Sequence, residues 1–234
     1  MKPTPEQSNV LLANPWFAGL PAAVRGALVS GSELVRLRPG EMLFRQGDAA
    51  DERGSGFYAL LSGALKSSSL REDGREAILV VLEPGNWFGE ISMLDGLPRT
   101  HDTTAMQECE VAVLPRAAFE SLMQRPAFSQ AVAQLMAARL RGLFALMEDA
   151  TLRSLQSRVA RRLLMLARGD ATQAHDFRPS VQVSQEALAM MLGISRQTLS
   201  KELKVLAQAG AIALGYGVIG IASVEKLKAA GARS

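Results

Sequence analysis

Residues 184–210 read SQEALAMMLGISRQTLSKELKVLAQAG, and two helices joined by a tight turn are written into that run. Ser184 has the side chain of a helix N-cap, and Leu188, Met191 and Leu192 supply the apolar face of the helix it opens. Gly193 suits a left-handed helix end, Ile194 is expected to plug the core beneath the turn, and Ser195 caps the second helix. Ala189 is small where the two helices must cross. Leu199, Leu203 and Leu206 give the second helix one buried side, and Gly210 ends it. The pattern predicts a helix-turn-helix. Ala211 to Leu214 and Val218 to Ile221 are expected to pair as two short strands around Gly215-Tyr216-Gly217, a small wing.

The second helix has polar residues where a recognition helix meets DNA. Arg196 can hold guanine O6 and N7 as a fork, and Gln197 can do the same for adenine N6 and N7. Lys201 lies one turn further on. Ser195 and Thr198 are candidate phosphate contacts, and Ser184, Ser200 and Lys204 complete the expected DNA-facing set.

Charge along the chain agrees with that placement. The 234 residues sum to only +3. Residues 1–150 carry 14 Lys and Arg against 18 Asp and Glu, a net of −4, whereas 151–234 carry 12 against 5, a net of +7. An acidic part joined to a basic part predicts two domains, the basic one facing a polyanion. Hydrophobic residues at 48% and charged residues at 21% are ordinary for a globular chain. One cysteine, Cys109, excludes an internal disulfide framework, and two histidines leave a histidine-rich metal centre without ligands. No targeting segment or apolar run of membrane-spanning length stands out, so a cytoplasmic protein without a membrane partner is expected.

Upstream, short apolar runs alternate with glycines from Ser32 to about Pro115. Met42-Leu43-Phe44, Phe57 to Leu61, Ala77 to Leu82 and Val111 to Leu114 read as strands, and Glu72-Asp73-Gly74-Arg75 as a hairpin turn. This texture predicts a sandwich or jelly roll. Within it, Gly85-Asn86-Trp87-Phe88-Gly89-Glu90-Ile91-Ser92 and Pro98-Arg99-Thr100 form a candidate anion pocket. Gly89, Ile91 and Ser92 bring backbone donors, Arg99 a guanidinium fork for a phosphodiester, and Thr100 a hydroxyl. Glu90 offers an acceptor to a sugar hydroxyl. His101-Asp102 has the look of a catalytic dyad, but no serine or cysteine nucleophile accompanies it, and no enzyme is expected.

From Ala127 to about Asp149 a long helix is predicted. Met136, Leu140, Leu143, Met147 and Ala150 repeat at 4-3-4-3 spacing, the seam of a coiled-coil dimer. Phe144 and Leu146 widen the stripe. Glu148 to Thr151 sits at the charge boundary and is the expected hinge.

Together, Phe88-Gly89-Glu90 with Arg99-Thr100, and Ser195-Arg196 with the turn of helix after it, resemble the CRP/FNR family of bacterial transcription regulators. The resemblance runs from about residue 15 to 222. It implies an α+β chain: an N-terminal β jelly roll of the cyclic-nucleotide-binding type over 1–126, a long dimerisation helix over 127–150, and a C-terminal winged helix-turn-helix over 151–234. It implies a homodimer on a pseudo-palindromic double-stranded DNA operator, a nucleotide effector in the jelly roll, and RNA polymerase as a partner. Two departures bear on the effector. His101-Asp102 stands where cyclic AMP receptors of the family carry alanine after the Arg-Thr pair. Leu143-Phe144 replaces the Thr-Ser pair that reads adenine from the dimer helix; these apolar side chains cannot hydrogen-bond adenine, though Phe144 can stack on a base. Cyclic AMP and cyclic di-GMP are both candidates, Asp102 and Glu90 being acceptors suited to guanine N1–H and N2–H. The alternative is a nucleotide-binding regulatory subunit whose C-terminal helices dock a protein.

Overall fold

The computed structural model describes residues 2–49, 56–172 and 177–232. Gly54, one of the glycines between the apolar runs, and His175 fall outside them. The chain divides into two compact units, Met1–Ala138 and Arg139–Ser234.

The first unit is built on two four-stranded antiparallel sheets. One has the order β1 (Glu33–Leu37), β8 (Cys109–Pro115), β3 (Gly56–Ser62), β6 (Trp87–Phe88); the other β2 (Met42–Phe44), β7 (Asp102–Ala105), β4 (Leu65–Leu70), β5 (Glu76–Leu82). The predicted apolar runs are β2, β3, β5 and β8. β3 is buried on both faces, which is why its sequence is a continuous apolar run and not an alternating one. Tyr58 and Leu60 join the core between the sheets with Phe44, Leu65, Phe88 and Val111. Phe57, Ala59 and Leu61 point the other way, into a second core with Phe17, Leu28, Trp87, Phe119 and Phe128. A short helix α1 (Pro5–Asn9) precedes the helices α2 (Pro15–Ala18), α3 (Ala22–Gly31) and α5 (Arg116–Met123), which cover that face. Between β4 and β5 the expected hairpin turns at Gly74, whose φ of 81° needs no Cβ.

Strand β4 carries no signal of this kind. Leu-Lys-Ser-Ser-Ser-Leu has no apolar run, yet Ser67 and Ser68 are buried, with the Ser67 hydroxyl 3.2 Å from that of Thr103 on β7. Small polar residues that satisfy each other across a ladder leave no hydrophobic trace in the sequence.

The helix α6 (Pro126–Leu152) has 27 residues, about 40 Å at 1.5 Å per residue. Its start packs into the first unit through Phe128, Ala131 and Val132. From Leu140 onward Leu140, Leu143, Phe144 and Met147 are exposed, at 52, 55, 60 and 58%, while Leu146 is half-buried. The expected hinge at Glu148 to Thr151 is unbroken helix. Buried Asp149 accepts from Arg153 Nε at 3.1 Å and Arg161 Nε at 2.6 Å, and the Thr151 hydroxyl donates to Met147 O. The helix breaks just beyond, at Arg153 and Ser154, where Ser154 accepts from Ser157 N and opens the next helix. The charge boundary lies near Thr151, whereas the compact units meet earlier, inside α6.

The second unit contains α7 (Leu155–Ala167), β9 (Ser180–Gln182), α8 (Gln185–Leu192), α9 (Arg196–Gln208), β10 (Ile212–Leu214), β11 (Val218–Ile221) and α10 (Val224–Gly231). The two predicted wing strands are β10 and β11; the third strand, β9, and the helix α10 are additions to the expected pattern. The sheet order is β10-β11-β9, and α10 packs on α7, where the Ser157 hydroxyl donates to Gly231 O at 2.7 Å. Arg162 on α7 grips Asp170 through two 2.8 Å bonds, both side chains buried. Truncating one partner of such a pair leaves a buried charge unmatched. Asp170→Ala is therefore expected to cost about 3–5 kcal/mol of stability, read by urea denaturation.

Candidate effector pocket and nucleic-acid interface

In the first unit the pocket segment folds as β6, the left-handed Gly89 and the short helix α4 (Glu90–Asp95). Gly89 has φ 85°, and a Cβ there would lie 2.6 Å from Tyr58 Cδ2, so both conformation and space demand glycine. Glu90 and Ser92 are buried, while Ile91 is half-buried. Ser92 O accepts from Arg116 Nη2 at 2.8 Å, which ties α4 to α5.

Arg99 is turned inward. Its Nη1 donates to Gly89 O at 2.9 Å, and Nη2 to Gly56 O at 3.1 Å and the Tyr58 hydroxyl at 3.2 Å. The guanidinium carbon lies 4.6 Å from the centre of the Phe44 ring and 5.2 Å from that of Tyr58. Burial lowers the Arg99 pKa, while Tyr58 and Glu90 act in the opposite sense. Burial also raises the Tyr58 phenol, so this hydroxyl is a neutral partner. The main chain beside Arg99 is fixed as well: its N–H donates to Asp48 O and its carbonyl accepts from Gly47 N–H.

Thr100 is exposed, its hydroxyl 2.8 Å from His101 Nδ1. The His101 ring packs near Phe44, with centroids 6.2 Å apart. Asp102, expected to face an effector base, accepts from Gln46 N–H through Oδ1 at 2.8 Å. One of its oxygens thus anchors the loop after β2. Phe44, Tyr58 and Gln46 are pocket residues that the sequence does not single out; they belong to β2, β3 and a loop distant along the chain, and no local motif marks them. Leu143 and Phe144 stand exposed on α6 in the second unit.

Cys109 is buried, its Sγ 3.2 Å from both Ala64 O and Gln107 O, which share its single S–H, and burial pushes its pKa up. That is the environment of an inert thiol, not of a nucleophile. Among the described residues no group of three His, Cys, Asp or Glu side chains is placed to hold a metal ion, and no helix is long and apolar enough to cross a membrane.

In the second unit the helix-turn-helix forms as its caps prescribe. Ser184 accepts from Ala187 N at 3.1 Å and opens α8; Gly193, at φ 66°, closes it. Ile194, expected as a core plug, is only half-buried. Ser195 accepts from Thr198 N at 3.1 Å, and the two hydroxyls lie 2.8 Å apart. Ser195 therefore caps α9, with the Thr198 hydroxyl bonded to the cap. Leu199, Leu203 and Leu206 are buried, whereas Arg196, Gln197, Lys201 and Lys204 are exposed and Ser200 is half-buried. The polar residues form two adjacent stripes at four-residue spacing on one face of α9.

Known proteins share this arrangement in both halves. Residues 34–126 match the cyclic nucleotide-binding domain family, and residues 157–230 the Crp-like helix-turn-helix domain family. The CRP-like cAMP-activated global transcriptional regulator of Mycobacterium tuberculosis is 31% identical over 213 residues, 90% of this chain and 93% of its own. The cyclic AMP receptor protein of Thermus thermophilus is 32% identical over 195 residues, 82% and 86% of the two chains. The crystal structure of a CRP-family transcriptional regulator, also from Thermus thermophilus, superposes with a TM-score of 0.65 at 29% identity, covering 86% of this chain and 97% of that one. With both domain families matched in order and relatives of this identity spanning nearly the whole length, the chain belongs to the CRP/FNR family of transcription regulators and is not an enzyme.

Proposed function

We propose that the chain acts as a homodimer on a pseudo-palindromic operator, under the control of a cyclic nucleotide held by the jelly roll. The assignment of parts follows the sequence: 1–126 senses, 127–150 pairs the protomers, and 151–234 reads DNA in the cytoplasm, where RNA polymerase is the partner that turns occupancy into transcription. The observation that carries this is the face of α9, with Arg196, Gln197, Lys201 and Lys204 exposed beyond the Ser195 cap while the leucines of the same helix are buried. A two-fold dimer implies half-sites about 34–36 Å apart.

Cyclic AMP is the first candidate effector, on the strength of relatives described as cAMP-activated. Its phosphodiester would compete with Gly89 O, Gly56 O and the Tyr58 hydroxyl for the Arg99 guanidinium, and Glu90 would take a ribose hydroxyl. Cyclic di-GMP is the second: Leu143 and Phe144 offer adenine no hydrogen bond, whereas Asp102 and Glu90 are acceptors suited to guanine N1–H and N2–H. The bond from Gln46 N–H to Asp102 leaves the dinucleotide fewer free acceptors. Ligand acts on DNA only through unequal affinity for the two arrangements of the dimer.

The test is selection of a duplex from a random library, followed by titration of its affinity with cyclic AMP, cyclic GMP and cyclic di-GMP. A palindromic consensus, and affinity shifted at least about tenfold by cyclic AMP, are expected. Absence of binding by all three nucleotides at micromolar concentration would overturn the effector assignment. Absence of salt-dependent DNA affinity would favour the protein-docking alternative, because phosphate contacts release counterions. Arg196→Ala is expected to cost about 1–3 kcal/mol of operator binding and to relax one base position, measured by repeating the selection.

A further inference from the structure

The tip of the wing presents Tyr216 as exposed as a free tyrosine, at 106%. The turn that holds it is closely defined. Gly215 N–H donates to Val218 O at 2.9 Å. A Cβ on Gly215 would lie 2.8 Å from Val218 Cγ1, and Gly217 has φ 68°, so glycine is required on either side of the tyrosine. β11 is held on both edges, by β10 and β9. The register Val218↔Gln182 sets the tip at the end of the sheet where β9 runs out into Ser184, the N-cap of α8. The wing tip and the start of the helix-turn-helix therefore share one end of the unit.

Chemistry separates this tip from the rest of the DNA-facing set. No charged residue occurs between Lys204 and Glu225, so the wing brings no cation to a phosphate. It brings a phenol hydroxyl and a ring, flanked by two residues without side chains that let the backbone come close to a surface.

We propose that Tyr216 is a non-ionic DNA contact: the phenol donates a hydrogen bond to a phosphate oxygen and the ring packs on the adjoining deoxyribose, beside the half-site read by α9. Tyrosine is among the side chains that donate to phosphate, and such contacts position the protein without reading sequence. The proposal rests on the DNA-binding reading above.

The experiment uses the full chain, the selected duplex and a scrambled duplex of equal length, with affinity followed by fluorescence anisotropy over a series of salt concentrations. Tyr216→Ala is expected to weaken both duplexes alike, about tenfold, with an unchanged slope of log affinity against log salt, because a neutral contact releases no counterion. Tyr216→Phe, which keeps the ring, is expected to lose about threefold by forfeiting one neutral hydrogen bond. Lys204→Ala serves as the ionic comparison and flattens the slope by about one. Wild-type affinity in Tyr216→Ala overturns the proposal, as does a flatter slope or a loss confined to the selected duplex. If the unaltered chain shows no salt-dependent DNA binding, the DNA-binding reading falls and the proposal falls with it. Because Tyr216 is fully exposed, its variants are expected to melt with the wild-type protein, which keeps a folding defect distinguishable.

Discussion

A chain carrying Leu140→Glu and Met147→Glu is expected to be a monomer at micromolar concentration, by sedimentation, and to bind its operator at least 100-fold more weakly. Both side chains lie on the exposed apolar face of α6, more than half accessible, with Leu143 and Phe144 between them. A stripe of that length on one helix is larger than the scattered apolar residues of a monomer surface. A side chain of this size contributes about 1.5–3 kcal/mol when buried, and a two-fold seam buries each residue twice. Removing four such contributions takes away up to about 6–12 kcal/mol, against the about 8 kcal/mol that separates a micromolar dimer from dissociated protomers, and carboxylates set against their symmetry mates add repulsion to that loss. Each remaining protomer brings one recognition helix to the DNA. A persistent dimer would place the two-fold elsewhere.

Arg99→Leu is expected to abolish the response of operator affinity to cyclic AMP while DNA binding without effector persists. The guanidinium is the cationic fork assigned to the pocket, and two charge-assisted bonds to a phosphodiester are together worth about 3–6 kcal/mol. That is roughly two to four decades of affinity, enough to remove binding from a calorimetric titration. The same substitution leaves Gly89 O, Gly56 O and the Tyr58 hydroxyl without the donors they have now, so the domain is also expected to lose stability, by about 1–3 kcal/mol. Arg99→Lys separates the two effects: it restores the charge but not the fork, and effector affinity is expected to stay low while part of the stability returns. Wild-type affinity for cyclic AMP in either variant would remove Arg99 from the site.

Much of the fold is legible in the chain because the informative signals are local. Ser184, Gly193 and Ser195 act on backbone groups within a few residues of themselves, so the helix-turn-helix can be read from one window of sequence. β3 over residues 57–61 and β8 over residues 111–114 are visible because stretches buried on both faces are continuously apolar. β4 is not, since Ser67 is satisfied by Thr103 from another strand and neither belongs to an apolar run. The same reason hides the set of Arg99. Its identity and its glycine neighbour can be read, but its inward turn is decided by Tyr58 and Phe44, on strands that only the fold brings near. Asp102 reads as an acceptor, and it is one; its donor is the Gln46 backbone, which no spacing announces.

Asp149 has a consequence beyond the straightness of a helix. By holding Arg161 on α7 as well as Arg153 at the break, it fastens the last turns of α6 to α7, within the compact unit that begins at Arg139. The apolar stripe from Leu140 to Met147 therefore belongs to the same compact body as α9. On the function proposed above, the surface that pairs the protomers and the helix that reads DNA form one inheritable module. On that reading, changes to the first unit can accumulate, or a different domain can be grafted ahead of Arg139, while the residues proposed to set the spacing of two half-sites remain together in one piece.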